Sequence, residues 1–217
     1  IKDLFSPFKE DFEIDIENYK SSSYFISELK EDDFEGSEIF LFLLGKEIRY
    51  LTRFKHKYIC EFIGYSISEK ENIVWFVSKF VNNGSLFHSI VTESRLSGDE
   101  KTKIAFQIAQ AMNYIHHQQI LHLDLKTENI LLDGEQPKIV NFRFKRKCDM
   151  KNNIISLGTV NYMAPEILKG DKFDSKADVF SFALLLYEMY TEKLLFTQFG
   201  LHSEIIKKKI LNGLHLD

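Results

Sequence analysis

The spacing of apolar residues changes after Asn82-Asn-Gly84. Before that point they come in short runs. Ile73-Val-Trp-Phe-Val77 is compact and apolar, the pattern of a buried strand. Residues 58–67 read as a second strand with a turn near Gly64, and the polar stretch Ser68-Glu-Lys-Glu-Asn72 as the hairpin loop between them. Leu44, Ile48 and Leu51 recur at helical spacing, which predicts a helix over residues 41–54. After Gly84 the period is helical. Ile104, Ile108, Ala111, Met112 and Ile115 share one face of a long helix, with Ser97 or Asp99 placed to cap its start. Residues 179–190 are apolar nearly all round, which marks a central buried helix. Residues 204–211 form one more helix, stopped by Asn212-Gly213. A sheet-rich part followed by a helical part predicts an α+β chain of two lobes, residues 1–81 and 82–217. A cleft at such a junction is the usual place for a small-molecule site.

Composition narrows the partners. The chain has 217 residues, 44% of them hydrophobic, enough for one or two small lobes with a substantial core. A net charge of −4 offers nothing for bulk nucleic-acid binding. The longest apolar runs, residues 39–44 and 179–187, fall short of the roughly 20 residues of a membrane span. Cys60 and Cys148 are too far apart for a metal cluster or a disulfide framework. That points to a reducing, intracellular and cytoplasmic setting. No basic start with a long apolar stretch marks a signal peptide. The Phe content of 20 leaves aromatic surface for a core or a protein partner; oligomeric state is open.

The candidate chemistry sits in His122-Leu-Asp124-Leu-Lys126-Thr-Glu-Asn129-Ile-Leu-Leu132. An Asp can take a hydroxyl proton, a Lys two residues on can neutralise a phosphoryl group, and an Asn can hold a metal through its amide oxygen. Asn141-Phe142-Arg143 follows, and then Gly158-Thr159-Val-Asn-Tyr162-Met-Ala164-Pro165-Glu166. One Asp or one Lys alone reads as an ordinary surface turn. The whole ordered set does not.

This order resembles the protein kinase superfamily, and most closely the serine/threonine type of the tyrosine-kinase-like group. Lys126 and Thr159 lean toward Ser/Thr over Tyr. The resemblance implies a two-lobed fold with a small antiparallel-sheet N-lobe and a helical C-lobe. It implies Asp124 as catalytic base, Lys126 as the phosphate-contacting lysine, and Asn129 with Asn141 at the metal. Thr159 and Glu166 would form the substrate loop, and Asp178 would brace the catalytic loop. Glu47 matches the glutamate that pairs with a strand lysine. Ser78 matches a small gatekeeper, with Phe80, Val81 and Leu131 around the nucleotide. ATP and Mg are the implied cofactors, and a protein the implied substrate or partner. The match is strong over residues 47–188 and weak before.

Several positions depart from the pattern. Asn141 stands where the family has the metal-binding Asp, and Arg143 where it has Gly. No glycine precedes Gly36, and the region expected to cover phosphates, residues 6–20, carries Glu10, Asp11, Glu13, Asp15 and Glu17. Family spacing puts the strand lysine at Ser27; Lys30 is the nearest substitute and Lys20 a weaker one. Leu123 replaces the arginine that reads a phosphate on the activation segment, so such phosphorylation is not expected to switch this domain. Arg143, Lys145, Arg146 and Lys147 read as a solvated basic loop. The family continues past this chain's last helix, which implies a fragment or a shortened C-lobe. The reading is a pseudokinase with weak or no phosphotransfer that signals by binding partners. The alternatives are an active, low-efficiency serine/threonine kinase and a pure interaction module.

Overall fold

The computed structural model describes residues 24–30, 48–68, 73–92, 96–142, 159–196 and 203–213. Glu47, Lys20, the acidic stretch 6–20, the loop 69–72 and the basic run 143–147 lie outside them. The chain divides into two compact units, Ile1–Asn82 and Asn83–Asp217.

The first unit holds an antiparallel sheet of β1 (Tyr24–Lys30), β2 (Phe62–Ser68) and β3 (Ile73–Lys79), in the order β1-β3-β2. The apolar run at 73–77 becomes the central strand. Val74, Phe76 and Val77 are buried there, so both faces of β3 are covered. Tyr65 of β2 lies opposite Phe76 and is fully buried. The predicted strand at 58–67 starts late, at Phe62. The Tyr58 N–H donates to His56 Nδ1 and the Ile59 N–H to the His56 carbonyl, so these residues close a turn instead. The register slips between Phe62 and Gly64, a bulge that spends one extra residue. Of the helix predicted over 41–54, residues 48–51 are described and are helical.

The second unit is mostly helical: α1 (Leu86–Val91), α2 (Gly98–His117), α3 (Pro165–Lys169), α4 (Lys176–Thr191) and α5 (Ser203–Leu211). A hairpin of β4 (Ile130–Asp133) and β5 (Gln136–Ile139) follows the motif loop. Ser97 caps α2. Its hydroxyl accepts from the Glu100 N–H, and Glu100 accepts from the Ser97 N–H. The stripe Ile104, Ile108, Ala111, Met112 and Ile115 is buried as its spacing requires. Lys101 of α2, nearly buried, meets Glu192 just past α4 at 2.6 Å. Gly170, at φ 75°, ends α3 in the left-handed conformation that glycine adopts without strain.

α4 departs from its pattern in one respect. Its apolar surround predicted burial on all sides, yet Val179 is 58% and Tyr190 47% exposed. The opposite face carries Ala177, Leu184, Leu185 and Met189 into the core. No helix among the described residues is long and apolar enough to cross a membrane.

The capping box is the clearest local stabiliser of α2. Ser97→Ala should lower the thermal midpoint by roughly 2–4 °C, read by circular dichroism at 222 nm.

Candidate active site

The site is a loop, residues 121–129, hung between α2 and β4. Its anchor is Asp178, in the first turn of α4 and 1% exposed. A buried carboxylate must be fully hydrogen-bonded. Asp178 Oδ2 accepts from the His122 N–H at 2.9 Å and meets His116 Nε2 at 2.8 Å. Its Oδ1 accepts from the Leu123 N–H at 2.8 Å. The start of a helix also favours a negative charge.

That grip holds Leu123 at φ 62°, a left-handed conformation unusual for leucine. The Leu123 side chain fills an apolar cluster with Leu121, Met163, Ala164, Ile167, Phe173 and Ala177. Position 123 therefore serves packing.

His122 is fully buried, and its tautomer follows from its partners. Nδ1 accepts from the Asp124 N–H at 3.2 Å, so Nε2 bears the proton and donates to the Val140 carbonyl at 3.2 Å. Its ring lies 4.7 Å from that of Phe142. Burial holds the imidazole below its ordinary pKa, against the opposing pull of Asp178 and Asp124.

Asp124 is presented by these supports. Asn129 Nδ2 donates to the Asp124 carbonyl at 2.7 Å and to its Oδ2 at 3.0 Å. The Thr159 N–H donates to Asp124 Oδ1 at 3.3 Å. Lys126 Nζ donates to Thr159 Oγ1 at 2.8 Å. Thus Asp124, Lys126, Asn129 and Thr159 converge. An acid, a cation and a hydroxyl-bearing loop are brought within one hydrogen-bonded set.

A second buried carboxylate, missed by motif reading, ties the loop down. Glu188 Oε2 accepts from Thr127 Oγ1 at 2.9 Å and from the Tyr162 hydroxyl, and its Oε1 from the Leu195 N–H at 2.8 Å. Burial raises the Glu188 carboxyl above its usual range, and burial together with Glu188's charge raises the Tyr162 phenol. The signal was present: Glu188 is the one acid between Asp178 and Glu192 in an apolar helix, and such a charge needs partners.

Asn141 follows β5 at φ 57°, which Asn tolerates better than most residues. Its Nδ2 donates to Asn129 Oδ1 at 3.0 Å. For a magnesium ion, positions 129 and 141 offer two neutral amides, and the Asn129 oxygen already accepts from Asn141. Hard cations take carboxylate oxygens by preference. In this arrangement the residues do not fit magnesium.

The remaining candidates are spread over the chain. Glu166 lies in the first turn of α3. Leu131 is buried in β4 and bridges Ser85. Ser78, Phe80 and Val81 belong to the first unit: Ser78 pairs with Phe25, Phe80 is 46% exposed and Val81 is buried. Ser27 pairs with Phe76 and Lys30 with Ile73. Since faces alternate along a strand, position 27 shares the face of Ser78 and position 30 takes the other.

His122 predicts an acid response. Its depressed folded pKa means the unfolded chain binds the extra proton first. Stability from this group is present above about pH 6.5 and is lost as pH falls below it. Urea unfolding between pH 7 and 5.5 should show falling stability, with a shallower slope in His122→Gln. His56, also held low by burial, adds slope of the same sign, and the raised Glu188 carboxyl opposes it.

The chain is similar in sequence to known proteins. The protein kinase domain family matches residues 26–215. A probable serine/threonine-protein kinase of Dictyostelium discoideum is 33% identical over 181 residues, 82% of this chain and 30% of that protein. Another of the same description is 32% identical over 208 residues, 88% of this chain and 49% of that protein. Cysteine-rich receptor-like protein kinase 37 of Arabidopsis thaliana is 36% identical over 158 residues, 68% of this chain and 24% of that protein. The chain spans less than half the length of each of these relatives. Its sequence and its α+β architecture place it in the protein kinase domain family.

Proposed function

We propose that this chain is a pseudokinase domain of the tyrosine-kinase-like group, with weak or no phosphotransfer, which acts by binding protein partners in signalling. One observation carries the reading. Asn141 presents an amide N–H to Asn129, where phosphoryl transfer needs an anionic metal ligand. Losing a single electrostatic contributor to a transition state commonly costs about 10²–10³ in rate. Two further departures act in the same direction. Position 30, the nearest lysine to the expected site, takes the sheet face opposite Ser78. The stretch 6–20 has acids where a phosphate-covering loop has glycines. Such losses do not multiply cleanly, because the parts act as a unit.

A weak serine/threonine kinase is the second reading, favoured by the joined set of Asp124, Lys126 and Thr159. That set would orient an acceptor hydroxyl at Asp124. The two readings separate in one assay. The full chain at high concentration, with radiolabelled ATP, magnesium or manganese and a Ser/Thr-rich acceptor protein, should incorporate no more label than Asp124→Ala. Label above that background would establish the kinase.

A further inference from the structure

We infer that Asn141 is a built-in stand-in for a cation: its amide clasps Asn129 and holds the motif loop in place without any divalent metal. The orientations of both amides are dictated by chemistry. Asn129 faces two acceptors, the Asp124 carbonyl at 2.7 Å and its Oδ2 at 3.0 Å, so the nitrogen must point that way. Asn129 therefore turns its oxygen toward residue 141. An oxygen needs a donor or a cation opposite it. Asn141 supplies the donor at 3.0 Å. The line of contacts runs from Asn141 through Asn129 to Asp124, and on to Thr159 and Lys126. Each link is a donor meeting an acceptor, so the line is satisfied with no ion. Asn129 is 2% exposed, so leaving its oxygen unmet would be costly.

The clasp concerns what holds the loop together, and thus goes beyond the proposed lack of transfer. It makes Asn141 a positioning residue. Asp at 141 would set oxygen against oxygen and demand an ion between them. Asp also tolerates the φ of 57° and matches Asn in size, so the exchange tests charge and donor capacity alone.

The test is thermal unfolding of the full chain in EDTA and in millimolar MgCl2 at matched ionic strength. Wild type should show the same midpoint in both. Asn141→Asp should unfold about 3–8 °C lower in EDTA and recover in MgCl2. Asn141→Gly, which keeps a positive φ easy and deletes the amide, should be lowered in both buffers with no response to magnesium. A saturable rise of the wild-type midpoint with magnesium would overturn the clasp. So would Asn141→Asp matching wild type in EDTA. Phosphate transfer by the wild type defeats the proposed function and leaves the clasp standing, whereas a magnesium shift without transfer defeats the clasp alone.

Discussion

The Asp178 carboxylate is the constraint on which the loop geometry rests. Two consecutive backbone N–H groups, of His122 and Leu123, point at its two oxygens, and His116 fills the remaining direction. A loop has no ladder to satisfy its backbone, so a buried loop needs a side chain to do it. Asp178 supplies that and fixes Leu123 in a conformation leucine otherwise avoids. Asp124 is the next residue, so its direction follows from that fixed turn. The buried neutral His122 then closes the far side, bonding the Asp124 N–H and the Val140 carbonyl.

Glu188 repeats the device on the same helix. It sits ten residues beyond Asp178, a rise of about 15 Å along α4. Asp178 holds the entry of the loop and Glu188, through Thr127 and Tyr162, holds its exit and the segment after Thr159. One apolar helix thus carries two buried carboxylates, Asp178 matched by two loop N–H groups and His116, Glu188 by two side-chain hydroxyls and the Leu195 N–H. The helix is rigid because Leu184, Leu185 and Met189 are packed. Its rigidity is what makes two separated anchors act as one frame.

Long periodic elements were legible in the sequence because burial writes its period directly. The α2 stripe and its Ser97 cap are the clearest case, and the run at 73–77 is the next. Residues 58–61 misled because His56 diverts the backbone through its ring nitrogen, a contact that hydropathy does not register. α4 misled in another way: apolar composition says that a helix can be buried, and only packing says which sides are. Lys30 could be weighed by counting along the chain. Its face depended on a strand pairing that no count along one segment contains. The motif residues were legible as a set, while Glu188 was hidden by having no motif of its own.

Position and charge separate cleanly at this site. The backbone leading into Asp124 is set by the Asp178 carboxylate and by burial of Leu123 and His122, contacts that do not involve residue 141. The Asn129 bond to the Asp124 carboxylate, by contrast, is the contact that residue 141 backs. What residue 141 controls is the sign of the charge opposite Asn129. A carboxylate there would tie the loop to an ion that comes and goes, while the amide makes the tie permanent. Exchanging Asp for Asn in such a frame therefore costs the fold little and the electrostatics of transfer a great deal. The Asp124 frame can persist without turnover because folding depends on its donors and acceptors being matched, and they are.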